Sequence, residues 1–154
     1  SFIMTMRGIP MMYYGTEIAL AGGADPDNRR DMVWGSKKAD MVSHVKKLTS
    51  IRKQQVALRR GKQLEMWQDD QIFAFLRTTG DANSEVITVI NNSDSKQNRK
   101  IQIRAESQMA NGTQLRNLMS TDGVTVQDRT ITVTLDPKEA KIFAVGTTKN
   151  TIKK

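Results

Sequence analysis

QIFAFLRTTGDANSEVITVINNS, residues 71–93, is the stretch on which the fold turns. Its two arms, QIFAFLR (71–77) and EVITVIN (85–91), are short runs of β-branched and aromatic residues, and Thr79-Gly80-Asp81 between them supplies the positive φ and side-chain-to-backbone bonds of a turn. Two such arms predict neighbouring antiparallel strands. Reading downstream, Lys100–Ala105, Thr130–Leu135 and Ala140–Val145 carry the same signal, with weaker strands expected at Leu64–Trp67 and Thr113–Leu118. Asn91-Asn92-Ser93, Asn111-Gly112, Asp122-Gly123 and Asp136-Pro137 punctuate them. Short strands at this spacing describe a small antiparallel β-sandwich, placed at residues 61–146, with a polar, frayed tail at 147–154.

Upstream the period changes. From Asp40 to Gln55, Met41, Val45, Leu48 and Ile51 recur at spacings of four, three and three, which sets them on one face of an amphipathic helix. Before that helix, MMYY (11–14) follows Pro10 as a short apolar run suited to a buried parallel strand. A long loop with Gly15, Gly22, Gly23, Pro26 and many charges separates the two. Strand, loop and helix make one βα unit, which cannot close a parallel sheet by itself. The chain therefore reads as part of something larger, and its unpaired strand as an apolar edge open to self-association.

Composition narrows the chemistry. The 154 residues hold no cysteine, which excludes disulfides, thiolate metal sites and cysteine nucleophiles. The single histidine, His44, cannot build a multi-histidine metal centre and is expected on a helix surface or margin. Neither metal nor cofactor is expected. A net charge of +8 raises the question of nucleic acid, yet eight basic residues against Asp40 between Lys37 and Arg60 account for +7 of it. With no aromatics interleaved for stacking on bases, this stripe reads as a solvated helix face and no nucleic-acid partner is expected. No apolar run reaches the ~18 residues of a membrane-spanning helix, so no membrane insertion is expected either. SFIMTMRGIP at the start lacks the apolar centre and cleavage site of a signal peptide, and compartment stays open.

The segment RGIPMMYYGTE (Arg7–Glu17) resembles the one that ends the catalytic (β/α)8 barrel of the alpha-amylase family, with its G-[IT]-P-x-[IL]-Y-Y-G-x-E pattern. GGADPDNRRDMVW (Gly22–Trp34) is similar to the loop after the eighth strand in the neopullulanase, cyclomaltodextrinase and maltogenic amylase branch, often DP-x-x-R-R-P-M-x-W. Asp31 stands where relatives carry proline. KKLTSIRKQQVALRRG (Lys46–Gly61) resembles the last barrel helix and its exit, and IFAFLRT with VITVINNS the first paired strands of the C-terminal domain. The resemblance runs in order through essentially the whole chain. It implies a mainly β chain, the C-terminal sandwich preceded at residues 1–60 by the last strand, loop and helix of a (β/α)8 barrel. It also implies a bacterial parent that hydrolyses α-1,4 glucosidic bonds with retention, α-1,6 bonds being a second candidate, its three acidic catalytic residues all preceding Ser1. No catalytic residue is expected in this chain. An alternative from another class is a non-catalytic sandwich that binds carbohydrate or a partner.

Loops that follow barrel strands build the active face, which makes the charges after MMYY the substrate-binding candidates. Asp25 and Arg29 match residues that contact glucosyl units in relatives: carboxylate and guanidinium can grip sugar hydroxyls as acceptor and planar donor, or they can simply bridge each other. Tyr14, with Tyr13, either stacks on a sugar or packs among strands, packing being favoured. Glu17 is expected to order the barrel mouth through a structural hydrogen bond, and Trp34 to anchor the loop by its indole N–H. Trp67, a lone aromatic, is read as packing at the domain boundary in preference to a starch-binding platform.

Overall fold

The computed structural model describes residues 1–35 and 39–146. The tail expected to fray, like Lys37 and Lys38 of the basic stripe, lies outside the described residues. Eight strands form two antiparallel sheets. β1 (Lys62–Gln68), β2 (Ile72–Thr78), β3 (Glu85–Asn91), β5 (Gln114–Asn117), β6 (Gly123–Thr125) and β8 (Ala140–Val145) make a six-stranded sheet in the order β1-β2-β3-β8-β5-β6. β4 (Gln97–Gln102) and β7 (Thr130–Leu135) pair as the second sheet. The sandwich expected from the sequence is thus present, with β3, β7 and β8 at the expected residues.

The pleat sorts the side chains. In β2, Ile72, Ala74 and Leu76 point into the sandwich, where they meet Ile87 and Val89 of β3, Phe143 of β8 and, from the facing sheet, Ile101, Ile131, Val133 and Leu135. β7 alternates in and out, its threonines facing solvent. β2, β3 and β8 are instead buried on both faces, because helices cover the outer side. α2 (Ala39–Gln54) lays Leu48 and Ile51 there, α3 (Val56–Arg60) adds Ala57 and Leu58, and α1 (Phe2–Thr5) adds Met4, all against Val86, Ile142 and Ala144. Three layers result: helices, the six-stranded sheet and the two-stranded sheet. Their doubly covered strands are the ones that read as near-continuous apolar runs.

Polar groups, one buried and one partly exposed, fix the edges of this core. Glu85, 1% exposed, accepts from Thr78 Oγ1 (2.8 Å), Ser107 Oγ (2.6 Å) and the Gln108 amide (3.3 Å), tying the ends of β2 and β3 to the loop after β4. At the opposite end Asp69 accepts from Trp67 Nε1, Arg99 Nε and the amides of Gln71 and Ile72, which bolts the β1–β2 turn to β4. The Arg99 guanidinium is the main reason its carboxyl lies well below the usual carboxylate range.

Several expectations are corrected. β4 begins three residues early and ends at Gln102, since Ile103 leaves the ladder to donate its amide to Arg129 (2.7 Å). β6 carries no strong strand signal and forms as the partner of β5. Most consequential, Met11–Tyr14 form no strand: no flanking strand offers its backbone a ladder, and Met11 is 85% exposed.

Candidate functional site

The charged loop between the MMYY run and α2 gathers most of the candidate residues. Gly15, at φ 84°, turns the chain, and the Leu20 and Ile18 amides close back on its carbonyl at 2.9 and 3.1 Å. The turn is tight enough that a Cβ on Gly15 would stand 2.8 Å from Leu20. A 3-10 turn, Thr16–Ile18, follows and buries Ile18. A second turn is held by Asp27 and Arg29, whose amides donate to the carbonyls of Ala24 (2.8 Å) and Pro26 (3.0 Å).

On this frame Arg29 Nη2 meets Asp25 Oδ1 at 2.8 Å, with both side chains more than half exposed. The structure therefore brings the two candidate residues together as an ion pair whose remaining donors and acceptors face solvent. Beside it runs a pair the sequence reading did not single out: Arg30 grips Asp27 through Nε and Nη2, both at 2.7 Å, in the planar two-pronged geometry that only arginine offers. That contact lowers the Asp27 carboxyl and raises the Arg30 guanidinium from their ordinary values. Spacing at i,i+3 within DNRR was the available signal. Tyr14 donates its hydroxyl to the Arg30 carbonyl at 2.8 Å, linking the run before the loop to its far end.

The remaining candidates do not converge on this pair. The Tyr13 and Tyr14 rings meet at a centroid distance of 4.6 Å, tilted by 49°, but are 60% and 42% exposed, so the expected packing among strands is absent along with the strands themselves. Glu17 makes no hydrogen bond to another described residue. Trp34, expected to anchor the loop through its indole, is 85% exposed, and its indole donates to no described residue. Trp67 packs half-buried against the sandwich core, and its Nε1 donates to Asp69 at 2.7 Å.

Arg30 holds the Asp27 carboxyl below its ordinary range, so this side chain is an ionised acceptor at neutral pH. Among the described residues no cluster of three His, Asp or Glu side chains could hold a metal. Nor is any described helix long and apolar enough to cross a membrane. The basic stripe is broken as well: Lys47 spends its ammonium on the Met119 carbonyl (2.6 Å), and Arg52 turns inward. His44 lies exposed on α2.

Comparison with known proteins places these features in a family. Residues 61–143 match the family described as the alpha-amylase C-terminal domain. A beta/alpha-amylase of Paenibacillus polymyxa is 42% identical over 142 residues, covering 92% of this chain and 12% of that protein. A cyclomaltodextrinase of Geobacillus thermopakistaniensis is 34% identical over 146 residues, 94% of this chain and 24% of that one. Among solved structures, an Anoxybacillus alpha-amylase superposes with a TM-score of 0.83 at 34% identity, over 94% of this chain and 30% of the other. The chain thus spans well under half the length of each of these three relatives.

Proposed function

The chain belongs to the alpha-amylase family, whose C-terminal domain it carries, and from that premise we propose that it is the closing part of a retaining α-glucan hydrolase of the neopullulanase and cyclomaltodextrinase type. Residues 1–60 end the catalytic barrel in this reading, and residues 61–146 form the C-terminal domain. The observation that carries it is the continuity of the match: 92% of the chain aligns with the beta/alpha-amylase, so the charged loop and helix belong to the likeness together with the sandwich.

In the parent enzyme one carboxylate attacks the anomeric carbon and the glycosidic C–O bond breaks. A carboxylic acid gives its proton to the leaving oxygen, and that group, now a base, activates the water that releases the glycosyl-enzyme. Preceding parts of the protein supply those carboxylates. This chain contributes barrel closure and the Asp25–Arg29 pair, which meets sugar hydroxyls at a subsite away from the cut bond, with Tyr14 fixing the loop beside it. Exposed apolar side chains before the loop, Ile9 and Met11 among them, are covered by neighbouring barrel strands; in the chain alone they favour self-association.

Incubating the full-length protein with maltooligosaccharides and cyclodextrins, and following the anomeric proton of the first product by NMR, tests this reading. An α-configured product is expected. A β-configured product would overturn the retaining mechanism, and no cleavage of any α-glucan would overturn the hydrolase assignment. Saturable maltooligosaccharide binding by this chain alone, with no cleavage by the whole protein, would instead favour a carbohydrate-binding module.

A further inference from the structure

A helix of only four residues leaves its last carbonyls without intrahelical donors, and α1 ends on the buried residues Met4 and Thr5. Two arginines from different layers take those carbonyls. Arg52, on α2, sends Nη1 to the carbonyls of Met4 (2.9 Å) and Met6 (3.4 Å) and Nη2 to that of Gly8. Arg77, in β2, sends Nη1 to the Thr5 carbonyl (2.7 Å) and Nη2 to the Gly61 carbonyl (3.0 Å) at the junction between α3 and β1. Gln63 Oε1 adds a bond from the Arg7 amide at 2.7 Å. Every one of residues 4–8 thereby has a backbone group held by a side chain from α2, β1 or β2.

Arg77 is an expensive way to make these bonds. It is 1% exposed and, like Arg52, makes no salt bridge among the described residues, so its charge is met by carbonyl dipoles alone. Burial, aggravated by Arg52 and Arg7 nearby, pushes it down to about 10. An apolar residue would fill the same space without that cost, so the bonds themselves are what the position specifies. Gly61 shows how closely the parts meet: a Cβ there would lie 2.6 Å from the Ala57 carbonyl oxygen and 2.8 Å from that of Thr78.

We propose that Arg77 and Arg52 form a clamp through which the β domain sets the position of the substrate loop, Arg77 acting as a positioning residue for glucan binding. Residues 9–13 are all that separates the clamped Gly8 from Tyr14, whose hydroxyl donates to the Arg30 carbonyl, and Gly15 then starts the closed turn at the base of the loop. A displacement at Gly8 is passed along this short segment to the Asp25–Arg29 pair. The inference rests on the reading that this pair meets sugar.

The test uses the full-length enzyme and the variants R77K, R29A and R77K/R29A. Lysine keeps the charge but, as a single ammonium, cannot hold the Thr5 and Gly61 carbonyls in one planar fork. R77K should raise KM for long maltooligosaccharides about three- to ten-fold, in the range of coupling through a packed network, with kcat on the shortest substrate unchanged. In the R29A background R77K should add little. Additive losses, or a lowered Tm with KM unchanged, would make Arg77 a structural residue only and overturn the proposal. If R77K does not fold, R52K carries the same readouts. If the protein cleaves no α-glucan, the hydrolase reading has failed and hydrogen exchange judges the clamp by itself. Faster exchange in R77K at residues 6–8 and 25–30 together supports it; unchanged exchange at 25–30 refutes it.

Discussion

Two apolar runs of similar composition, MMYY at 11–14 and IFAF at 72–75, have opposite fates in this molecule. IFAF enters a ladder between β1 and β3, has a sheet on one side and helices on the other, and buries Ile72, Ala74 and Phe75 completely. MMYY follows Pro10 with no ladder, and Met11 and Tyr13 stand in solvent. Among the described residues the exposed large apolar side chains all lie between Phe2 and Val56. Apolar composition specifies that a segment wants burial; only the neighbours that the rest of the chain supplies decide whether burial happens. One region buries its apolar side chains, and the other leaves several of them in solvent.

The sharpest break in that comparison is functional. This chain alone should release no reducing sugar from maltooligosaccharides above a matched blank, while the full-length protein should turn them over. A barrel site needs its other strands, and retaining hydrolysis needs two placed carboxyl groups. Release by highly purified chain at even a thousandth of the full-length rate would show that residues 1–60 hold a reacting centre of their own.

Hydrogen exchange separates the two runs next. The amides of Met11 to Tyr14 donate to no described backbone acceptor, whereas those of Phe75 and Ile87 lie in central strands. In a dilute monomer the first set should exchange within about ten-fold of the unstructured rate and the second only on sub-global or global opening. Equal protection at both places would mean that MMYY is paired, and a rise of its protection with concentration would identify a second copy as the partner.

The junction between the regions can be weakened without touching either. Leu58 of α3 is fully buried against the outer face of the six-stranded sheet, so Leu58→Ala should cost about 2–5 kcal/mol, read as a shift in the denaturation midpoint of the chain. A cost under about 1 kcal/mol would indicate that the helical layer peels from the sheet before the sandwich unfolds.

How much of this was legible in the sequence differs between the regions for physical reasons. Strands whose side chains alternate over one core, such as Thr130–Leu135, or fill two cores, such as Glu85–Asn91, announce themselves in one sequence because the pattern and the burial are local consequences of the pleat. The Asp128-Arg129 turn was silent: both residues adopt positive φ, 50° and 55°, without a glycine, and the turn is instead propped by Asn111 Oδ1 on the Arg129 amide and by the Arg129 guanidinium on the Met109 and Arg104 carbonyls. These are contacts across some twenty residues, which no local reading contains. Asp25 and Arg29 were singled out through resemblance; their ion pair is a matter of i,i+4 geometry, and the neighbouring Asp27–Arg30 fork went unread because four charges in six residues allow several pairings. Arg77 was invisible as a clamp, since its partners are backbone carbonyls of Thr5 and Gly61.

Acid sharpens the contrast by a smaller amount. Asp69 braces the closed region, and its folded carboxyl is depressed mainly by Arg99. A depressed acid contributes stability that is complete above the unfolded value of about 3.9 and is lost as pH falls through the folded one. Asp69→Asn should therefore destabilise the chain by about 1 kcal/mol at pH 7, reduced from full strength by the partial exposure of the pair, and the gap to the wild type should narrow below about pH 4. Urea midpoints at pH 7 and pH 3 check this. A gap that widened at low pH would place the important interaction on the neutral amide and not on the charge.

The smallest effect belongs to the open region. Arg29 and Asp25 are 62% and 67% exposed in their side chains, so their bond carries little stability, and Arg29→Ala should leave the Tm of the full-length enzyme unchanged within error. Its consequence should appear in binding. A hydrogen bond from a guanidinium to a sugar hydroxyl is worth about 1.5–3 kcal/mol when dry, and at a wet loop rim solvent returns most of that, leaving roughly a two- to ten-fold rise in KM for long glucans. On the proposed reading the loop's own bonds do not change as the glycosidic C–O bond breaks, so Arg29 would hold ground state and transition state alike, and kcat should stay within about two-fold. The shortest substrate, which does not reach the loop, should be indifferent to the change. A thousand-fold fall in kcat with KM unchanged would put Arg29 at the reacting centre, and the open region would then be part of the catalytic machinery and not its rim.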